Sequence, residues 1–178
     1  VEGANTEIKN STVHVGEKDP DLVDNPTAGI YVRPGSDQIT IEEVTLTNSL
    51  GIVNELPSGI RLGDWGSGVT GSAVKDIDAT GYFNGLLSLN STGSEISDSK
   101  FYENENVGVF LASSSNTGTI TNVDSYENQI GGFQIDGTSG ITISGSKAYD
   151  NFNNGITFTN SPNGNTVENS FAYGNVQG

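Results

Sequence analysis

Apolar residues recur along this chain in one fixed phrase: a glycine, an apolar residue, any residue, a second apolar residue, then a turn. The glycines of the phrase are Gly29, Gly59, Gly85, Gly108, Gly132, Gly155 and Gly178. From Gly85 onward they stand 23 or 24 residues apart. A period this short leaves no room for a helix pair, and it fits one coil of a β-solenoid. After each glycine the side chains alternate, as in a half-buried strand. The inward pairs are Ile30 and Val32, Ile60 and Leu62, Leu86 and Ser88, Val109 and Leu111, Phe133 and Ile135, and Ile156 and Phe158. One coil cannot bury its own apolar row, but a coil stacked at the strand spacing of about 4.8 Å can bury it.

A second strand is anchored on Ile41, Val74, Ile96, Ile120, Ile143 and Val167. Beyond the last four of these anchors come Tyr102, Tyr126, Tyr149 and Tyr173, each followed two residues later by Asn104, Asn128, Asn151 or Asn175. An Asn repeated once per coil can donate its amide to one neighbour and accept from the other, so these four are expected to form a structural ladder. They are also expected to take the left-handed backbone conformation that such a bend needs. The pattern predicts an all-β chain: a right-handed parallel β-helix of about six to seven coils. It is read as a single domain over residues 1–178, with a partial first coil and excursion in 1–28 and regular coils in 29–178.

The early coils are longer. Extra residues fall at 17–28, with Pro20 and Pro26, at Val53–Ser58, and in the Gly-rich stretch from Gly63 to Gly71. Insertions in solenoids become loops, often on the working face, so a site is expected in the N-terminal half.

Charge narrows the partners. The net charge is −15, with 7 Lys and Arg against 22 Asp and Glu. Such a surface repels phosphate backbones and anionic headgroups, which excludes nucleic acid as a partner. No apolar run reaches the roughly 18 residues of a membrane span, so no membrane insertion is expected. Cys and Met are both absent. The chain begins at Val1 and reads as a mature secreted chain, extracellular or at a cell surface, or as a piece of a longer one. Asn10 and Asn90 each open an Asn-Ser-Thr glycosylation pattern.

The glycine phrase with Tyr-x-Asn at the bend resembles the right-handed parallel β-helix repeat superfamily over nearly the whole chain. Segments such as Tyr149-Asp-Asn and Tyr173-Gly-Asn are similar to repeats of mannuronan C5-epimerases and polysaccharide lyases, and also to repeats of non-catalytic surface proteins and phage tail fibres. The epimerases' Asp-Pro-His-Glu signature is absent, as are the polygalacturonases' Gly-His-Gly and the calcium-binding glycine nonapeptides. The motif therefore speaks for fold and not for activity.

The resemblance implies a polysaccharide groove on the outward positions of the first strand. There the chain offers Tyr31, Arg33 and Arg61, with Asp64 and Trp65 on the loop that follows. Arginines can clamp a uronate carboxylate, and an aromatic ring can stack on a sugar. A lyase or epimerase also needs a base poised near neutral pH, and Tyr31 would serve only with a strongly lowered pKa. The plainer alternative is that Arg33 and Arg61 balance nearby carboxylates while Trp65 covers an insertion. Leu87, Leu89 and Phe110 are apolar on the same outward face, which predicts an exposed protein-contact stripe. The lone His14 is expected to be structural. No cofactor is expected. Ca²⁺ is the one ion suited to the oxygen donors of Asp19, Asp21, Asp24, Asp76 and Asp78, though their spacing follows no known loop. An outward Thr array (Thr40, Thr119, Thr121, Thr142, Thr166) suggests ice binding, but Glu42, Lys75, Glu95 and Glu168 interrupt it.

Two functions follow, beside a third in which the chain is a non-catalytic binding or adhesin fragment. The first is a structural subunit whose open ends pair head to tail with other copies of itself, giving a filament or surface layer. The alternative is a module that binds carbohydrate or resembles a uronate-polysaccharide lyase or epimerase.

Overall fold

The structure, a computed structural model, describes residues 3–15, 28–49, 57–113, 116–160 and 163–177. Most of two of the three expected insertions, 17–28 and Val53–Ser58, lies outside these residues, as do Asp19, Asp21, Asp24 and the terminal Gly178. The described residues form strands and turns and contain no helix.

One sheet has six parallel strands: β2 (Ala28–Val32), β4 (Ser58–Leu62), β6 (Asn84–Leu89), β9 (Val107–Ala112), β12 (Gly131–Asp136) and β15 (Asn154–Thr159). Their register aligns the glycine phrase, with Ile30 beside Ile60, Leu86, Val109, Phe133 and Ile156 in turn. The six strands bound five complete turns, slightly fewer than the pattern suggested. The glycines are set by close approach. A Cβ on Gly59 would stand 2.5 Å from the Gly85 carbonyl oxygen, and one on Gly132 would stand 2.7 Å from that of Gly155.

The second sheet has eleven strands. It opens with three long ones: β1 (Glu7–Val15), β3 (Thr40–Asn48) and β5 (Ala73–Thr80). From the next coil on, each long strand is divided in two. Residues Ala73–Lys75 pair with β7 (Thr92–Ser97), and Asp78–Thr80 pair with β8 (Lys100–Tyr102). The division repeats in β10 (Asn116–Thr121) and β11 (Asp124–Tyr126), β13 (Ser139–Ser144) and β14 (Lys147–Tyr149), and β16 (Thr166–Glu168) and β17 (Phe171–Tyr173). The tyrosines thus lie on short strands of their own and not at a bend. At the dividing corner a serine hydroxyl replaces a ladder carbonyl: Ile77 N–H donates to Ser99 Oγ (3.0 Å) and Val123 N–H to Ser146 Oγ (3.1 Å).

Between the sheets the inward rows merge into one core that holds the large side chains Tyr82, Phe101 and Phe133. Burying a side chain of this size contributes about 1.5–3 kcal/mol. The expected Asn ladder runs along one edge of this core. Asn104 Nδ2 donates to Asn128 Oδ1 (3.0 Å), Asn128 Nδ2 to Asn151 Oδ1 (3.0 Å), and Asn151 Nδ2 to Asn175 Oδ1 (2.9 Å). Each Oδ1 also accepts the backbone N–H of the preceding ladder Asn, at 3.1 Å. Asn104, Asn128 and Asn151 are fully buried. The left-handed residues are not these but the ones just before them, Glu103, Glu127 and Asp150, with φ of 50°, 55° and 53°. The buried amide belongs to the ladder, and the exposed neighbour takes the strained backbone. The four tyrosines stack face to face beside this ladder, with centroids 4.8–5.1 Å apart.

Two outcomes follow from these columns. Asn128→Ala strips partners from Asn104 and Asn151 inside the core and is expected to cost about 2–3 kcal/mol in urea unfolding. A loss under about 0.5 kcal/mol would mean the ladder is not a stabilising element. Burial pushes Tyr82 up to about 12 from 10.0. Burial, followed by the charge of Asp124, does the same for Tyr149. Above pH 10 the unfolded chain releases these protons while the folded chain keeps them. Stability is therefore full below about pH 10 and lost as pH rises through about 12. Urea midpoints measured across that range check this, and Tyr149→Phe should flatten the fall.

Candidate functional site

The early strands β2 and β4 place Tyr31 directly beside Arg61, both outward. The guanidinium carbon of Arg61 lies 5.4 Å from the Tyr31 ring centroid, within range of a cation–π contact. The chain then turns at Gly63, whose φ of 74° suits a residue without Cβ. Asp64 and Ser67 exchange backbone hydrogen bonds of 2.8 and 3.2 Å, closing a tight turn with Trp65 and Gly66 at its tip. Asn90, at the end of β6, donates its side-chain amide to the Asp64 carbonyl (2.8 Å) and anchors the turn to the sheet.

Asp64 is the hub. Its Oδ1 accepts from Arg61 Nη2 and from the Trp65 backbone N–H, each at 2.7 Å. Among the described residues its Oδ2 takes only a long 3.4 Å bond from the Tyr31 hydroxyl. Arg61 Nε also donates to the Gly63 carbonyl (3.3 Å). Arg61 is buried at 7% exposure, yet Trp65, on the same turn, is 66% exposed. The structure thus brings Tyr31, Arg61 and Asp64 together and leaves the indole facing solvent. Trp65 does not cover the insertion. Arg33 is exposed one strand position past Val32, at the entrance of the next turn.

One condition is not met and one expectation needs correction. Tyr31 is not prepared as a base: burial, and then the negative charge of Asp64, raise its pKa. Leu87, Leu89 and Phe110 form no exposed stripe. Leu89 is fully buried and Leu87 is 9% exposed, and both pack with Ala112 and the half-buried Phe110 in a second small cluster. Strand alternation sends these side chains away from the main core, but it does not reveal that the turn after Gly63 lies against Leu89 and Asn90. Asn90, which opens one of the Asn-Ser-Thr patterns, has its side-chain amide engaged in the turn. Asn90 is the residue sequence reasoning missed. Its one signal is that it occupies the same coil corner as Gly63 and Gly137, and it shares their positive φ.

The remaining candidates lie elsewhere. His14 is exposed, with Nδ1 2.8 Å from Thr47 Oγ1 and Nε2 3.2 Å from Ser49 Oγ. Asp76 pairs with Lys75 at 3.4 Å. Among the described residues no group of three or more His, Cys, Asp or Glu side chains is placed to hold a metal ion.

The model of the right handed beta helix region matches residues 1–178. Among solved structures the chain is similar to the periplasmic alginate epimerase AlgG, at 15% identity and a TM-score of 0.70 over 97% of this chain and 46% of that one. It is similar to pectate lyase Pel9A, at 18% identity and a TM-score of 0.64 over 95% and 45%. It also resembles the A-module of the Azotobacter vinelandii mannuronan C-5 epimerase AlgE4, at 14% identity and a TM-score of 0.50 over 98% and 55%. The chain therefore spans about half the length of these proteins. At such identities the likeness shows the fold alone. No curated protein sequence matches the chain.

Proposed function

We propose that this chain, which belongs to the right-handed beta helix family, is a secreted carbohydrate-binding solenoid that holds a polysaccharide at the Tyr31–Arg61–Asp64–Trp65 turn without cleaving it. One observation carries the proposal: a solvent-facing indole on a turn pinned from three sides. Aromatic platforms bind well when little freedom is lost on binding. Here Arg61, Asn90 and the backbone of Ser67 fix the turn before any ligand arrives. The polysaccharide-acting proteins that share the fold support the ligand class. The raised pKa of Tyr31 supports binding over proton abstraction.

The test is affinity electrophoresis in gels containing single polysaccharides. The native chain should be retarded by at least one. Trp65→Ala should lose roughly tenfold or more in affinity while keeping its fold. Equal retardation of both proteins would remove this turn from the function.

A second reading is end-to-end assembly. The last described coil exposes Val167, Phe171, Tyr173 and Val176 at 43–67%. These residues continue the stacked columns, and a further coil from the same polypeptide or another copy would cover them. If copies supply it, the mass seen by light scattering rises with concentration, and Phe171→Glu abolishes the rise. A single-chain mass at every concentration would remove this reading.

A further inference from the structure

We infer that the Trp65 turn selects a neutral polysaccharide over a polyuronate. This rests on the carbohydrate-binding proposal and names its ligand class. A uronate needs a cation to receive it, and the buried cation of this site is already matched. Arg61 Nη2 lies 2.7 Å from Asp64 Oδ1, and the same oxygen holds the Trp65 backbone N–H. A uronate carboxylate that displaced Asp64 from Arg61 would release the turn that presents the indole. Other cations are engaged in the same way: Lys9 and Lys75 both reach Glu42, and Lys147 reaches Asp124. Arg33 is exposed, where salt screens its charge. The whole chain then adds a field of net charge −15, which lowers the local concentration of any polyanion.

What the turn offers suits an uncharged sugar. The exposed indole face can take the apolar C–H face of a pyranose. Beside it, Asp64 Oδ2 is held, among the described residues, only by the 3.4 Å bond from Tyr31 and retains acceptor capacity for sugar hydroxyls. A carboxylate on the residue next to the indole that accepts hydroxyl donors also repels a ligand carboxylate.

Trp65 is the single tryptophan, so its fluorescence reports this turn alone. The intact chain is titrated with xylan, mixed-linkage β-glucan and galactomannan, and separately with alginate and polygalacturonate. Each titration is run at low and high salt, with Ca²⁺ and with a chelator. The expected result is a saturable change with a neutral polymer, its affinity moving less than about twofold with salt, and none with the polyuronates. Saturation by a polyuronate with the neutral polymers silent, including saturation that needs Ca²⁺, overturns neutral selection and leaves carbohydrate binding standing. Silence with every polymer overturns both. Asp64→Asn supplies a second check. It should weaken neutral binding roughly tenfold and give a measurable response to polyuronate, because Arg61 is then unbalanced. Unchanged neutral affinity in that variant overturns the inference too, since the discrimination is assigned to this carboxylate.

Discussion

Coil-to-coil registration is the constraint on which the molecule depends. Parallel pairing aligns every strand of one coil with its counterpart in the next, at a spacing of about 4.8 Å. Each side chain therefore lies on the side chain one period away, and a residue type is selected for stacking on its own kind. Asn on Asn closes a chain of buried amide bonds, and Tyr on Tyr gives parallel rings. Gly under Gly leaves room for a carbonyl. None of these has any use in a single coil, so the fold and its cooperativity have one origin.

The same stacking would be ruinous for charge in so acidic a chain. One outward column carries Asp78, Lys100, Asp124 and Lys147 in adjacent positions, so that unlike charges lie one strand apart. Another places Glu42 between Lys9 and Lys75. Where like charges do stack, as at Glu103 and Glu127, they stand on exposed corners where water screens them. Among the described residues Lys9, Lys75 and Lys147 thus serve to make the columns tolerable.

This regularity also decides what could be read from sequence. The inward rows, the Asn ladder and the glycine line were legible because each repeats at the period, and the register bears them out. The left-handed corner was placed one residue late, because Asn suits such a backbone and sits next to it. Burial of Leu87 and Leu89 was not legible: alternation reports which side of a sheet a residue takes and not how deeply that side is covered. That Arg61 balances a nearby carboxylate was legible as the plainer alternative, but that the carboxylate is Asp64 was not. The sequence placed both residues near one strand end, but only the positive-φ turn at Gly63 brings the carboxylate back over the guanidinium.

A site in such a molecule has to arise where the repeat is broken. In the regular coils each described position of the core, ladder and tyrosine column is tied to the one above and below, so a change made for a ligand would cost two contacts. The turn after β4 is longer than those of the regular coils, and it rests on the Arg33–Ser36 turn of the coil before it through the Gly35 N–H to Gly68 carbonyl bond (2.9 Å). Its residues answer to Tyr31, Arg61, Asn90 and one another, and the Trp65 side chain is 66% exposed. An exposed indole there is not required by the solenoid's own stability, and its removal should leave the columns intact. That independence is what makes the turn the part of the surface free to be shaped by a partner.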